Sequence, residues 1–176
     1  MAIFASDSGN PRSAHHVDEK SMTIDFIVDP KTTKMFAEIE DPEYYSEEAM
    51  TYNNRNNGIS LDVFTTDSGL GAMFTPTSTT TDPITGDTVV ATMESPNYPF
   101  YGTQFHPEKA FTMYNSDTYD HSWASVHYNR YFGDRFVELA RQNANTCGDF
   151  DACYAITIDS FELISTNTYH GNVYAF

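Results

Sequence analysis

The sequence predicts a mixed α/β domain that is rich in strands and carries one long helix towards its C-terminal end. Short segments of period-two alternation recur at 24–28, 59–63, 88–93 and 98–105. One segment, 123–143, repeats its apolar residues at helical spacing. The 176 residues, 40% hydrophobic and 15% aromatic, suffice for one domain, 1–176, with its own core.

Residues 1–20 read as a polar, turn-rich lead-in. They hold His15 and His16 beside Asp18 and Glu19, a set that could bind a metal. Adjacent histidines without spaced partners read instead as solvated loop, so no metal and no cofactor is expected. Ile24, Phe26 and Val28 mark a strand closed by Asp29-Pro30, followed by a short apolar segment, 34–39. The acidic stretch 38–48 reads as a solvated face or a short helix. After the Asn57-Gly58 turn, Ile59, Leu61 and Val63 alternate as a strand. Segments 71–77 and 88–93 form two more, turning at Asp82-Pro83-Ile84-Thr85-Gly86-Asp87.

The aromatic run 98–105 reads as a central strand buried on both faces, ending at His106, because Pro107 pushes its predecessor into extended geometry. If extension persists, His106 and Glu108 lie on one side of the chain. A carboxylate beside an imidazole fixes its tautomer and supports the imidazolium, as a general base requires. An edge-strand histidine bonded near a turn is the plainer alternative. Val126, Phe132, Phe136, Leu139 and Ala140 form the apolar face of the 123–143 helix, with Asp120 or Ser122 as N-cap. Trp123 and the helix tyrosines read as packing residues. Cys147 and Cys153 are close enough for a small disulfide, and two free thiols are equally credible. Segments 155–158 and 173–176 are candidate strands.

Net charge of -16 excludes a generic nucleic-acid binder, because phosphate contacts need clustered Lys and Arg. No apolar run reaches the ~18 residues of a membrane span. No targeting signal is visible at the start of the chain, which carries no weight if a longer precursor precedes it.

The string Tyr98-Pro99-Phe100-Tyr101-Gly102-Thr103-Gln104-Phe105-His106-Pro107-Glu108-Lys109-Ala110 resembles the His-Pro-Glu segment of class I glutamine-amidotransferase-like hydrolases. Among these it is most similar to the gamma-glutamyl hydrolases, the folate polyglutamate-cleaving cysteine peptidases. The flanks extend the resemblance: Asn115-Ser116-Asp117, His121-Ser122 and the 135–143 stretch downstream, with Met22-Thr23-Ile24-Asp25-Phe26 and Lys34-Met35-Phe36 upstream. Tyr169-His170-Gly171-Asn172-Val173-Tyr174-Ala175-Phe176 is a weaker echo of the family's closing strand. The resemblance covers roughly 22–145.

It implies the rear part of a flavodoxin-like amidotransferase domain, with His106 and Glu108 as two catalytic triad members. It also implies a gamma-glutamyl substrate and a secreted or lysosomal setting. The family's nucleophilic cysteine sits in a Gly-x-Cys-x-Gly elbow upstream of everything matched, and no such elbow exists here. Cys147 and Cys153 come too late in chain order and lack the flanking glycines. A front half or a partner subunit would therefore have to carry the nucleophile, within a homo- or hetero-oligomer, and this chain alone would be inactive. The family's histidine before its Ile-Ser strand start is replaced by Asn53-Asn54-Arg55-Asn56-Asn57-Gly58. There Arg55 could hold a glutamate carboxylate bidentately, or simply occupy a polar turn. The alternative function is a catalytically inactive amidotransferase-like subunit with a structural or interaction role in a larger assembly.

Overall fold

A computed structural model describes residues 1–114, 116–165 and 172–175. Asn115 of the post-motif segment, with Tyr169, His170, Gly171 and Phe176 of the closing segment, lies outside the described residues. The architecture is mixed α/β, consistent with an amidotransferase-like fold. Contacts group the chain into two compact units, 1–136 and 137–176, where the sequence reads as one domain.

In the first unit, β1 (Ser13–Met22) pairs antiparallel with β3 (Thr51–Gly58). A four-stranded antiparallel sheet has the order β2-β4-β5-β6, with β2 (Asp25–Phe26), β4 (Thr75–Thr81), β5 (Thr88–Glu94) and β6 (Tyr101–Thr103). The long helix, α6, spans Trp123–Arg141; shorter helices are α1 (Ala2–Ala5), α2 (Tyr44–Glu47), α3 (Leu61–Thr66), α4 (Ser68–Met73) and α5 (Lys109–Thr112). In the second unit, α7 (Phe150–Tyr154) precedes the antiparallel hairpin of β7 (Glu162–Ser165) and β8 (Asn172–Ala175).

The core is aromatic. Phe36, fully buried, meets Phe26, Tyr45 and Phe132 edge-on at centroid distances of 4.9, 5.8 and 5.6 Å. Phe105 joins Phe132 at 5.4 Å. Edge-to-face pairs of this kind add about 0.5–1.5 kcal/mol each beyond their buried area. The α2 residue Tyr45 donates its hydroxyl to the Tyr128 carbonyl of α6 at 2.6 Å. Asn129 donates to the carbonyls of Met50 at 3.0 Å and Ser125 at 2.8 Å, which satisfies the donor side of a buried amide, while its Oδ1 has no hydrogen-bond partner among the described residues. A separate cluster of Phe64, Leu70, Phe74 and Val90 lies beneath α3 and α4.

Several local readings change. Part of the expected lead-in is β1, because Val17 and Met22 have buried places to fill. The 59–63 alternation forms the start of α3, since the Ser60 hydroxyl accepts the Val63 N–H and caps a helix. The 71–77 strand starts only at Thr75, because Asp67 caps α4 through the Leu70 N–H. The 98–105 run is not a central strand. Pro96 and Pro99 flank a turn closed by the Ser95 N–H and the Phe100 carbonyl, so only 101–103 joins the ladder, at the sheet edge. Tyr98 and Phe100 stack on each other in the open, while Phe105 is buried.

The packed face of α6 is Ser125, Tyr128, Asn129 and Phe132, and Phe136 is 66% exposed. The helix tyrosines Tyr128 and Tyr131 do pack, but Trp123 is 76% exposed and stacks on His127 at 4.8 Å. Residues 155–157 form a turn rather than a strand. The Ser160 hydroxyl donates to the Ala155 and Thr157 carbonyls, and this competes with a ladder. Cys147 and Cys153 are joined in a disulfide with Cα atoms 6.0 Å apart. Among the described residues no helix is long and apolar enough to cross a membrane.

Two substitutions test this packing by urea unfolding. Phe36→Ala is expected to cost about 3–5 kcal/mol, the range for truncating a buried aromatic. A Cβ on Gly69 would collide with the Ala5 carbonyl oxygen. Backbone cannot yield as a side chain can, so Gly69→Ala is expected to cost about 1–3 kcal/mol.

Candidate functional site

His106 is held by its neighbours rather than by a strand of its own. Past β6, the Gln104 N–H donates to the Ala91 carbonyl of β5 at 2.8 Å. Phe105 then enters the aromatic core, and the His106 N–H donates to the Tyr52 carbonyl of β3 at 2.8 Å. These three successive anchors leave the His106 backbone little freedom. Glu108, the N-cap position of α5, is not extended: its φ of -65° and ψ of -26° are helical. The chain therefore turns after Pro107, and the turn brings the carboxylate back to the ring. Nδ1 of His106 and Oε1 of Glu108 are 3.0 Å apart, with the two side chains 42% and 50% exposed.

Burial pushes the Glu108 carboxyl up, but the hydrogen bond with His106, the bond to its own N–H, and the charges of His106 and Lys109 outweigh it. The net result lies below the ordinary glutamate value, so Glu108 is ionised at neutral pH and accepts from Nδ1–H. Among the described residues no other hydrogen bond to the ring is present, and Nε2 remains open to accept a proton. Around the pair, the Tyr52 ring lies 6.4 Å from the imidazole, and Tyr119 meets Tyr52 edge-on at 4.8 Å. His121 donates from Nδ1 to the Ala110 carbonyl of α5 at 2.9 Å and stacks on Tyr114 at 4.3 Å.

Two curated proteins match the chain. Over 113 residues it is 29% identical to Gamma-glutamyl hydrolase B of Dictyostelium discoideum, covering 64% of this chain and 32% of that protein. Over 97 residues it is 35% identical to Gamma-glutamyl hydrolase of Homo sapiens, covering 54% of this chain and 30% of that protein. The likeness is to gamma-glutamyl hydrolases. The chain spans about a third of the length of the curated relatives it matches. No family model matches it.

Arg55 stands apart from the His106–Glu108 pair. It lies in β3, not in a polar turn, and is 8% exposed. Three residues separate it from Tyr52, so the two project to opposite faces of the strand. Nη1 donates to the Asn53 side-chain oxygen, while Nε and Nη2 are buried without hydrogen-bond partners among the described residues. Burial pulls the guanidinium below its ordinary value, and the charge of Asp82 acts against that. His15 and His16 also diverge: His15 is buried against Asp82, and His16 bonds Asn56 at the surface. Among the described residues no group of three or more His, Cys, Asp or Glu side chains is placed to hold a metal ion. The role of Asp82 was not legible in the sequence, where its Asp-Pro context signals only a turn.

The lowered value of Glu108 sets a direction with pH. A carboxyl with a depressed folded value contributes stability above its unfolded value and loses it as pH falls through the folded one. Carboxyl-detected NMR is expected to show Glu108 titrating below an ordinary glutamate, and His106→Ala to move the midpoint up. A midpoint indifferent to that substitution would mean that the pair does not form in solution.

Proposed function

We propose that this chain is the rear, general-base portion of a gamma-glutamyl hydrolase-like cysteine hydrolase that cleaves gamma-glutamyl amide bonds, as in folate polyglutamates or related compounds. The observation that carries this reading is the His106–Glu108 pair, with Nδ1 held at 3.0 Å and Nε2 open. Its setting within a stretch similar to gamma-glutamyl hydrolases supplies the substrate class. Both cysteines of the chain are tied in the disulfide, so the nucleophile must come from elsewhere.

In this reading a thiol from a front half or partner subunit passes its proton to His106 Nε2 as it attacks the amide carbonyl. The C–N bond breaks, and the imidazolium protonates the departing amine. Water then attacks the thioester, giving a proton to Nε2, and the thiolate leaves and recovers that proton. Glu108 keeps the ring in the Nδ1–H tautomer and offsets the charge on the imidazolium. The disulfide accords with a secreted or lysosomal protein, since its route passes through an oxidising lumen where such bonds form. The segment carrying the nucleophile would cover the apolar face formed by Met1, Phe4, Met73, Phe74 and Phe100, which encloses about 220 Å3.

The alternative reading, an inactive amidotransferase-like subunit, draws on the absence of any free thiol in the chain. Peptide mapping of the native protein separates the two, since only the first requires an associated Gly-x-Cys-x-Gly elbow. The isolated 176-residue chain is expected to show no gamma-glutamyl hydrolase activity. In the assembled enzyme, His106→Ala is expected to lower kcat by on the order of 10⁶, and Glu108→Gln by on the order of 10⁴, as for triad members elsewhere. Full thiol-dependent turnover in His106→Ala would end the proposal. The face at Phe4 and Phe100 is expected to bind an apolar-sensing dye in the isolated chain and to lose that binding on assembly. A dye-silent monomer would favour the self-contained alternative.

A further inference from the structure

Ser13, His15 and Asp82 form a continuous hydrogen-bonded chain outside the His106–Glu108 pair. Ser13 and His15 are two residues apart on β1 and project to one face. Ser13 Oγ lies 2.9 Å from His15 Nε2, and His15 Nδ1 lies 3.2 Å from Asp82 Oδ2. His15 and Asp82 are 2% and 1% exposed, whereas Ser13 is open to solvent. Gly58 makes room for the ring, since a Cβ there would meet Val89 Cγ1 at 2.8 Å and His15 Cβ at 3.3 Å.

The proton positions follow from the partners of Asp82. Its Oδ1 accepts the Ile84 and Thr85 N–H groups at 2.8 and 2.9 Å. Burial pushes its carboxyl up, but those two bonds and His15 outweigh burial, and the net lies below the ordinary value. An ionised Asp82 takes the Nδ1–H of His15, which leaves the Nε2 lone pair facing the Ser13 hydroxyl. That order of nucleophile, base and orienting carboxylate is what activates a serine. A cavity of about 280 Å3 opens beside it, lined by Ser13, His15, Ser60, Asp62 and Asp87 among others. Its carboxylates disfavour anions and favour a positive charge.

We propose that Ser13, His15 and Asp82 are a second acyl-transfer site that hydrolyses small esters bearing a cationic group. Ser13 gives its proton to His15 Nε2 as Oγ bonds to the ester carbonyl carbon. The ester C–O bond breaks, and the imidazolium protonates the departing alcohol. Water then gives a proton to Nε2 and its hydroxide to the acyl carbon, and Ser13 leaves with that proton. This step needs only the ester and water, and it is independent of any thiol.

The test uses the full chain, with a fluorophosphonate probe located by mass spectrometry. A single adduct on Ser13 is expected, absent in Ser13→Ala and formed at least about 10²-fold more slowly in Asp82→Asn, where the tautomer is no longer held. Asn retains an acceptor for Ile84 and Thr85, and circular dichroism checks that this variant folds. The p-nitrophenyl ester of glycine is expected to be cleaved about tenfold faster than the hemisuccinate, with the preference reduced in Asp62→Asn and Asp87→Asn. Iodoacetamide should change none of these rates, which separates this site from the thiol-dependent reading. A folded chain that leaves Ser13 unlabelled, or equal labelling in Asp82→Asn, would reduce the cluster to a pin between β1 and the β4–β5 turn.

Discussion

Burial of Phe105 in the aromatic cluster of Phe36, Tyr45 and Phe132 is the constraint on which the His106 site depends. The residue next to an immobilised core side chain inherits its position. His106 adds one backbone bond to Tyr52, and the imidazole is then delivered to the surface from a fixed origin. The same cluster seats α6 against α2 through the Tyr45 hydroxyl, and the Asn129 amide ties α6 to Met50. Loss of its packing would loosen the site and the helix together.

The molecule uses carboxylates in two ways. All 25 acidic residues, set against 9 basic ones, give the chain its charge of -16. A few also organise backbone: Glu94 takes the Lys34 and Met35 N–H groups, Asp67 takes those of Asp7 and Leu70, and Asp82 takes two in its turn. For Asp67 and Asp82 these bonds hold the carboxyl below its ordinary value. Glu108 and Asp82 go one step further and spend an oxygen on a histidine. In both cases the carboxylate selects the Nδ1–H tautomer, leaving Nε2 as the acceptor. The two imidazoles differ in access, since His106 reaches solvent itself while His15 reaches it only through Ser13.

Much of the His106–Glu108 pair was legible before any coordinates, although its geometry arose differently. Spacing by two suggested proximity through extension, whereas a turn into α5 and the helical φ and ψ of Glu108 produce it. Proline signals a break but not which way the chain bends afterwards. Arg55 was misplaced because a run of Asn and Gly has the composition of a loop, while β3 buries it against β1. The Ser13–His15–Asp82 chain was invisible, since His15 and Asp82 lie 67 positions apart in sequence.

What the sequence by itself determined were the features set by short-range physics. These are the α6 helix from its periodicity, the β4–β5 turn from Asp-Pro and Gly, the reach between Cys147 and Cys153, and the resemblance carried by the His-Pro-Glu string. Alternation alone could not separate the start of α3 from a strand, because a capping serine outweighs period two over so few residues. Only tertiary structure decided which face of α6 is buried. Hydrogen bonds to Met50 and Ser125 make a polar Asn129 a core residue, while Phe136 stays exposed. It also decided the setting of each described histidine. An imidazole is buried, paired or left at the surface according to the partners around its two nitrogens, and those partners are supplied by whichever segment the fold brings beside it.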